Sequence, residues 1–266
     1  MTPTLPSPGL GTSGNDEFEQ CAETVAEALS IGYRHLDTAQ MYDNEAAVGA
    51  GLERADVARE DVVVATKIHP DNLAYDDAIE TAHESLDRLG LDRVDLLYVH
   101  WPISAYDPEE TLAAMDELVE DGVTDHVGLS NFTPELLDEA RDLLDAPVVA
   151  HQVECHPLLP QADLREYARE HGHDLVAYSP LGGGEILDDP LLTEIAEKHD
   201  TSAAAVCLAW AFEQEAVVPI PKGEGDHVAA NWAARDLALD AEDLDRIAAY
   251  DERVRVVDPD AAAWNQ

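Results

Sequence analysis

Four side chains of complementary acid-base type fall within the first hundred residues: Asp37, Tyr42, Lys67 and His100. A phenol is a weak proton donor near neutrality, because its pKa lies near 10. A lysine beside it favours the phenolate and lowers that value. An aspartate can fix the lysine and keep it charged. At ~4 Å and an effective dielectric of ~20, the lysine-tyrosine attraction is at most about 4 kcal/mol. That approaches about three pKa units before desolvation opposes it. A neutral histidine alongside can donate to a carbonyl oxygen and hold it near the tyrosine. Such a set suits protonation of an oxygen as hydride arrives at its carbon. Taken singly, each residue has an ordinary explanation: a tyrosine that packs, a solvated lysine, an aspartate that ends a strand. It is their joint placement that carries the reading.

That placement depends on the elements around them. Short apolar runs recur, each followed by a longer amphipathic stretch: Gly9–Thr12, His35–Thr38, Val62–Ile68, Val94–His100, Val127–Ser130, Val148–Val153, Leu175–Tyr178 and Val217–Ile220. Their length and β-branched content suit strands buried on both faces. Helix signals lie between them. Thr133-Pro134 opens Pro134–Leu144 and Asp107-Pro108 opens Pro108–Glu120. Gly122 stops the latter, and Asn72 is placed to cap Leu73–Leu89 ahead of Gly90. Pro190–His199 reads as a helix whose last turn holds Lys198, where a cation suits the dipole. Eight alternating units without a composition break predict a closed (β/α)8 barrel, one α/β domain over residues 1–266. Two extra helices are expected near the C-terminus, Thr201–Glu215 and Ala241–Asp251. In such a barrel, side chains at strand C-terminal ends converge on one mouth. Asp37, Lys67, His100, Ser130, Asn131, Gln152, Tyr178 and Lys222 all fall there, with Tyr42 on the loop after Asp37.

Composition narrows the partners. There are 57 acidic and 15 basic residues, a net charge of −42. Nucleic acid is disfavoured, since phosphate contacts need a basic patch. No apolar run reaches the roughly 18 residues of a membrane span. The start, Met1-Thr-Pro-Thr-Leu-Pro-Ser-Pro8, has neither the basic nor the apolar segment of a signal peptide, so a cytoplasmic location is expected. The only lysines are Lys67, Lys198 and Lys222; in a surface that has shed lysines, a survivor has a specific job. Cys21, Cys155 and Cys207 are too scattered for a disulfide framework. No Cys-x-x-Cys or His-Glu-x-x-His pattern appears, and the spacing of His151, Cys155 and His156 suits no common zinc site, so no metal is expected.

The motifs resemble the aldo-keto reductase family. Gly32-Tyr-Arg-His-Leu-Asp-Thr-Ala-Gln-Met-Tyr-Asp-Asn-Glu45 is similar to its first signature. Val64-Ala-Thr-Lys67, Tyr98-Val-His-Trp-Pro102, Val127-Gly-Leu-Ser-Asn-Phe132, Gln152-Val-Glu-Cys-His-Pro157, Ala177-Tyr-Ser-Pro-Leu181 and Ile220-Pro-Lys222 follow in family order. The similarity runs from Gly9 to about Asn231, with loop lengths closest to bacterial 2,5-diketo-D-gluconate reductase-like members. The resemblance implies a tetrad of Asp37, Tyr42, Lys67 and His100 that reduces aldehydes or ketones with NADPH, Tyr42 being the proton donor. It implies that Ser130, Asn131 and Gln152 hold the nicotinamide carboxamide, that Tyr178 stacks on the ring, and that Thr12 lies beside its ribose. Ser179, Leu181 and Lys222 would line the phosphate path, and Asn231 would reach the adenine. His100 and Trp101 would meet a small carbonyl substrate, and the protein would act as a monomer. Where the family has Ser and then Arg after this lysine, the chain has Gly223 and, in a loop one residue shorter, His227. An arginine fork is the usual grip on a phosphate. NADH is therefore the alternative cofactor, with NADPH favoured because Lys222 survives in a lysine-poor chain. The segment before Gly9 is too short for a plugging hairpin, and the short loop Pro102–Asp107 and short tail after Asp258 predict an open pocket.

Two other readings compete. Gly9-Leu-Gly-Thr-Ser-Gly14 satisfies the G-x-G-x-x-G pattern of a Rossmann turn, with Asp37 as the ribose acid. Against it, Pro6 and Pro8 leave no buried strand before the glycines, and the acid comes later than ~20 residues on. The second is a non-catalytic cofactor-binding subunit on the same fold; background-level aldehyde-dependent NADPH oxidation would favour it. The charge makes its own prediction. Self-repulsion of this surface is screened by salt, which points to a salt-rich, halophile-like cytoplasm. The melting midpoint is expected to rise between low and molar KCl, and a midpoint that does not rise refutes the inference.

Overall fold

A computed structural model describes residues 4–265. In chain order the regular elements are β1 (Leu10–Gly11), α1 (Phe18–Ile31), β2 (His35–Asp37), α2 (Glu45–Arg54), β3 (Val63–Ile68), α3 (Tyr75–Leu89), β4 (Leu96–Val99) and α4 (Pro108–Glu120). They continue with β5 (Val127–Ser130), α5 (Pro134–Leu143), β6 (Val148–Glu154), α6 (Ala162–His171), β7 (Asp174–Tyr178), α7 (Pro190–Lys198), α8 (Ala203–Phe212), β8 (Val217–Pro219), α9 (Asp226–Ala233) and α10 (Ala241–Ala248). All eight strands pair in parallel in the order β1 to β8. The sheet closes on itself: Gly9 N donates to Pro219 O at 3.0 Å, and Gly11 N to Pro221 O at 3.2 Å. The expected (β/α)8 barrel is the observed fold.

The seam explains the glycine-rich start. A Cβ on Gly11 would lie 2.6 Å from Ile220 O, so only glycine lets β1 approach β8 this closely. No helix opens at Gly14; α1 begins at Phe18. The Rossmann reading is thereby corrected: these glycines close a barrel.

Local chemistry sets most helix starts. Thr133 accepts from Leu136 N, and Asp107 from Glu109 N and Glu110 N, each with proline following. Asn72 departs from expectation. It closes a short 3-10 turn, Pro70–Asn72, and α3 starts at Tyr75 after Ala74, which offers no side-chain cap. Of the two extra helices, α8 is capped by Ser202 and α10 by Asp240. The octapeptide helix α9 beyond β8 was not foreseen.

The barrel interior is filled by Leu5, Ala65, Leu96, Tyr98, Val176 and Val218 among others, and the helices pack their apolar faces outside it. Tyr98 fits there because a Cβ on Gly128 would stand 2.4 Å from its ring. Leu5 plugs the base in place of a hairpin, with its N–H donating to Asp174 Oδ2 at 2.8 Å. Burying a leucine side chain is worth about 1.5–3 kcal/mol. Lys198 Nζ sits 2.7 Å from Asp240 Oδ2 and 2.8 Å from Asp243 Oδ1, tying α7 to α10. His199, Asp240 and Asp243 bring ligand atoms within 4.8 Å of one another, and the Lys198 ammonium bridges the two carboxylates.

His151 and His173 lie between the sheet and α5–α6, both buried. Burial drives each pKa down to about 3, helped at His151 by His173 and at His173 by Arg141. Both are neutral in the folded chain, whereas the unfolded chain binds a proton near pH 6.5. Stability from this source is full above that value. It falls as pH drops toward 3, by about 1.4 kcal/mol per pH unit for each histidine. Urea unfolding between pH 6.5 and 4 is expected to show that slope, and replacing His173 with Asn to reduce it; an unchanged slope would remove His173 from the account.

Candidate active site

The strands deliver their last residues to one mouth, as the barrel geometry requires. Asp37 ends β2, Lys67 lies one residue from the end of β3, and His100 follows β4. Ser130 ends β5 and Asn131 follows it; Gln152 is on β6, Tyr178 ends β7 and Lys222 comes three residues after β8. They surround a cavity of about 660 Å³ lined by Thr12, Asp37, Tyr42, His100, Trp101, Asn131, Gln152, Tyr178, Ser179, Leu181, Lys222, His227 and Asn231. Lys67 and Ser130 stand behind this wall, buried at 0% and 1% exposure.

Lys67 Nζ donates to Asp37 Oδ1 at 2.5 Å and to Thr38 O at 2.8 Å, and it lies 5.1 Å from the centre of the Tyr42 ring. Asp37 Oδ2 accepts from Gln152 Nε2 at 2.7 Å, so both carboxylate oxygens are engaged. Burial alone would discharge Lys67, but Asp37 and Tyr42 outweigh it and hold its pKa above the ordinary lysine value. The rings of Tyr42 and His100 meet edge to face at 5.7 Å.

The tyrosine corrects one expectation. Burial raises the Tyr42 pKa, and Lys67 lowers it only in part, with Asp37 opposing. The net shift is upward, because Lys67 is itself paired and the phenolate would be desolvated. Tyr42 is therefore a firmly protonated phenol. His100 behaves as expected: burial first, then Lys67 and His69, hold its pKa well below the usual range. Its Nδ1 is buried without a partner.

The next wall is a connected amide network. Ser130 Oγ donates to Gln152 O at 3.0 Å, and Asn131 Nδ2 to His100 O and Ser130 Oγ, both at 3.0 Å. Tyr178 Oη donates to Asn131 Oδ1 at 2.9 Å, which fixes its ring on the cavity edge. Asn131 and Ser179 hold left-handed backbones, φ 65° and 44°, rare for non-glycine residues and concentrated at functional sites. Thr12 Oγ1 donates to Asp37 O at 3.0 Å.

Lys222, His227 and Asn231 line the far end of the cavity, all beyond β8. Asn231 Nδ2 donates to Lys222 O at 3.2 Å. A Cβ on Gly223 would meet Asn231 Nδ2 at 3.1 Å and Val228 N at 3.2 Å, a tight fit. Lys67 and Lys198 have carboxylate partners; among the described residues the Lys222 ammonium has none. An unpaired cation and nearby polar groups fit a phosphate-bearing ligand.

Several wall residues escaped the sequence reading. Gly183 and Gly184 line the cavity on a turn where Gly182, Gly183 and Gly184 all have positive φ. The glycine triplet was a signal that could have found them. Ser13 and Met41 neighbour residues already singled out. Val257 had no local signal. Its N–H and that of Val256 donate to the buried Glu154 carboxylate at 2.9 and 2.8 Å. Further along, Trp264 packs on Trp101 at 5.6 Å. Val257 thus adds the C-terminal segment to the cavity wall.

Comparison with known proteins agrees with this geometry. The aldo/keto reductase family model matches residues 8–252. Methylglyoxal reductase DkgB of Salmonella typhi is 39% identical, covering 98% of this chain and 100% of that protein. Glyoxal reductase of Bacillus subtilis is 38% identical, covering 95% and 91%. The crystal structure of a putative 2,5-diketo-D-gluconic acid reductase B superposes with a TM-score of 0.91 at 36% identity, covering 97% and 92%. An aldo-keto reductase of Bombyx mori solved in complex with NADP gives 0.88 at 30% identity, covering 96% and 92%. The chain belongs to the aldo/keto reductase family. It is an oxidoreductase that reduces carbonyls to alcohols with NADPH. Nothing in the site or in its relatives favours the non-catalytic reading.

Proposed function

We propose that this enzyme reduces small 2-oxoaldehydes and related dicarbonyls, with Tyr42 as proton donor. The observation that carries the proposal is the meeting of Tyr42, Lys67, Asp37 and His100 at one wall of the cavity. The substrate class rests on the names of the methylglyoxal and glyoxal reductases that the chain resembles. NADPH supplies the hydride when bound. Asn131 and Gln152 would hold its carboxamide, with Ser130 bracing them from behind, Tyr178 its ring face and Thr12 its ribose side. Ser179, Leu181 and Lys222 follow the phosphates, with His227 and Asn231 at the adenosine end. As the carbonyl carbon gains a hydride, charge builds on its oxygen, and Tyr42 Oη gives that oxygen its proton. Lys67 stabilises the phenolate left behind, and Asp37 keeps Lys67 in place. His100 is neutral, so one ring nitrogen can donate to the carbonyl oxygen without adding a second charge beside Lys67. Trp101 packs on the substrate.

Residues 1–266 act as one domain and as a monomer. No helix among the described residues is long and apolar enough to cross a membrane. The charge of −42 supports a salt-adapted protein with no nucleic-acid partner, and a cytoplasmic location belongs to the same proposal.

Three measurements test the reading. Tyr42→Phe is expected to lower kcat for methylglyoxal by about 100-fold or more, the range of a lost general acid, while NADPH still binds. A variant with near-native kcat would remove Tyr42 from the role. Lys222→Met is expected to weaken NADPH about tenfold, near 1.4 kcal/mol, and NADH less. In matched high salt, kcat/KM is expected to favour NADPH in the parent enzyme; equal values for the two cofactors would undo the assignment of the phosphate grip.

A further inference from the structure

The segment that carries Tyr42 has almost no apolar anchor. Gln40–Tyr42 is one 3-10 turn with no buried residue, and Met41 at its centre is 44% exposed. Hydrogen bonds hold it instead, and they converge on Gln40. The Gln40 Oε1 atom accepts from His69 N at 2.8 Å and Asn72 Nδ2 at 3.1 Å. Its Nε2 donates to Thr81 O at 3.0 Å and Ser85 Oγ at 3.1 Å. A primary amide offers two donors and two acceptor sites, so its capacity is filled. The amide orientation is forced, since His69 N can only donate and Thr81 O can only accept.

These bonds continue into a circuit. Ser85 Oγ accepts from Arg88 Nη2 at 3.0 Å, and Arg88 Nε donates to Glu45 Oε2 at 2.8 Å. Glu45, buried three residues after Tyr42, accepts from Thr66 Oγ1 at 2.5 Å. Thr66 immediately precedes Lys67. The turn is thus pinned to α3 on both sides of Tyr42, and its far side is pinned to the strand residue beside the ammonium.

We propose that Gln40 is a positioning residue for the reduction: through this circuit it sets the place of Tyr42 relative to Lys67. This rests on Tyr42 being the proton donor. Loss of the circuit lets the phenol drift, and a misplacement of about 1 Å can cost about 100-fold in rate. It also weakens the contact through which Lys67 lowers the tyrosine pKa.

The test compares Gln40→Leu, Gln40→Glu and Tyr42→Phe with the parent enzyme in molar KCl, well below the melting temperature. Gln40→Leu, which loses all four bonds, is expected to lower kcat about 10- to 100-fold with NADPH Kd unchanged. The alkaline limb of its kcat profile is expected to move to higher pH. Gln40→Glu keeps the acceptors and loses the donors, and is expected to recover part of the rate. Native kcat and an unmoved alkaline limb in Gln40→Leu overturn the proposal. So does a loss of kcat that tracks equal losses in NADPH affinity and melting temperature. If Tyr42→Phe keeps native kcat, the proton-donor reading itself falls. If Tyr42→Phe is inactive and Gln40→Leu is native, only the role of Gln40 falls.

Discussion

A lysine ammonium with no exposed surface must be paid for by its neighbours, and the site is organised around that requirement. An unpaired charge buried in protein costs several kcal/mol, so Lys67 needs a carboxylate at contact distance. Asp37 supplies it at 2.5 Å, and its second oxygen in turn needs a donor, which is Gln152. The Gln152 backbone carbonyl accepts from Ser130 Oγ and from Asn131 N. Asn131 then orients Tyr178. One buried charge on β3 thus constrains side chains on β2, β5, β6 and β7. The rings of Tyr42, on the cavity side, and Tyr98, in the barrel interior, lie 5.1 and 5.9 Å from the ammonium.

The same accounting applies to the rest of the scarce lysine. Lys198 is committed to a carboxylate pair that joins two helices, and Lys222, at the cavity's far end, is left without one among the described residues. In a chain of net charge −42, an uncommitted cation beside a cleft creates a local reversal of sign. Glu224 sits nearby but accepts from Gln20 Nε2, which ties α1 to the loop before α9. His227 adds a ring N–H donor at the same end of the cavity.

Much of this was legible because barrel geometry converts sequence position into spatial position. A polar residue at the C-terminal end of a buried apolar run has one place to go, so Asp37, Lys67, Asn131 and Gln152 could be grouped before any coordinates. Helix caps with a following proline, at Thr133 and Asp107, were equally local. What could not be read depends on contacts distant in sequence. Asn72 looks like a cap, but its amide is drawn to Gln40, 32 residues earlier. The glycines at the start look like a nucleotide turn until Ile220 is placed against Gly11. The direction of the Tyr42 shift needed the depth of its burial, and the Val257 wall needed Glu154. In each case a local pattern was overruled by a partner from another part of the chain.

The seam between β1 and β8 has a further consequence. β1 is two residues long, and the sheet there is joined by few hydrogen bonds. The cavity is lined from both sides of that join, by Thr12 and Ser13 after β1 and by Ile220 and Lys222 after β8. A dinucleotide held by both edges would act as a clasp across this sparsely bonded seam. It would then contribute to the rigidity of the fold as well as to its chemistry, and amide exchange around Gly9, Gly11 and Ile220 would slow when it binds.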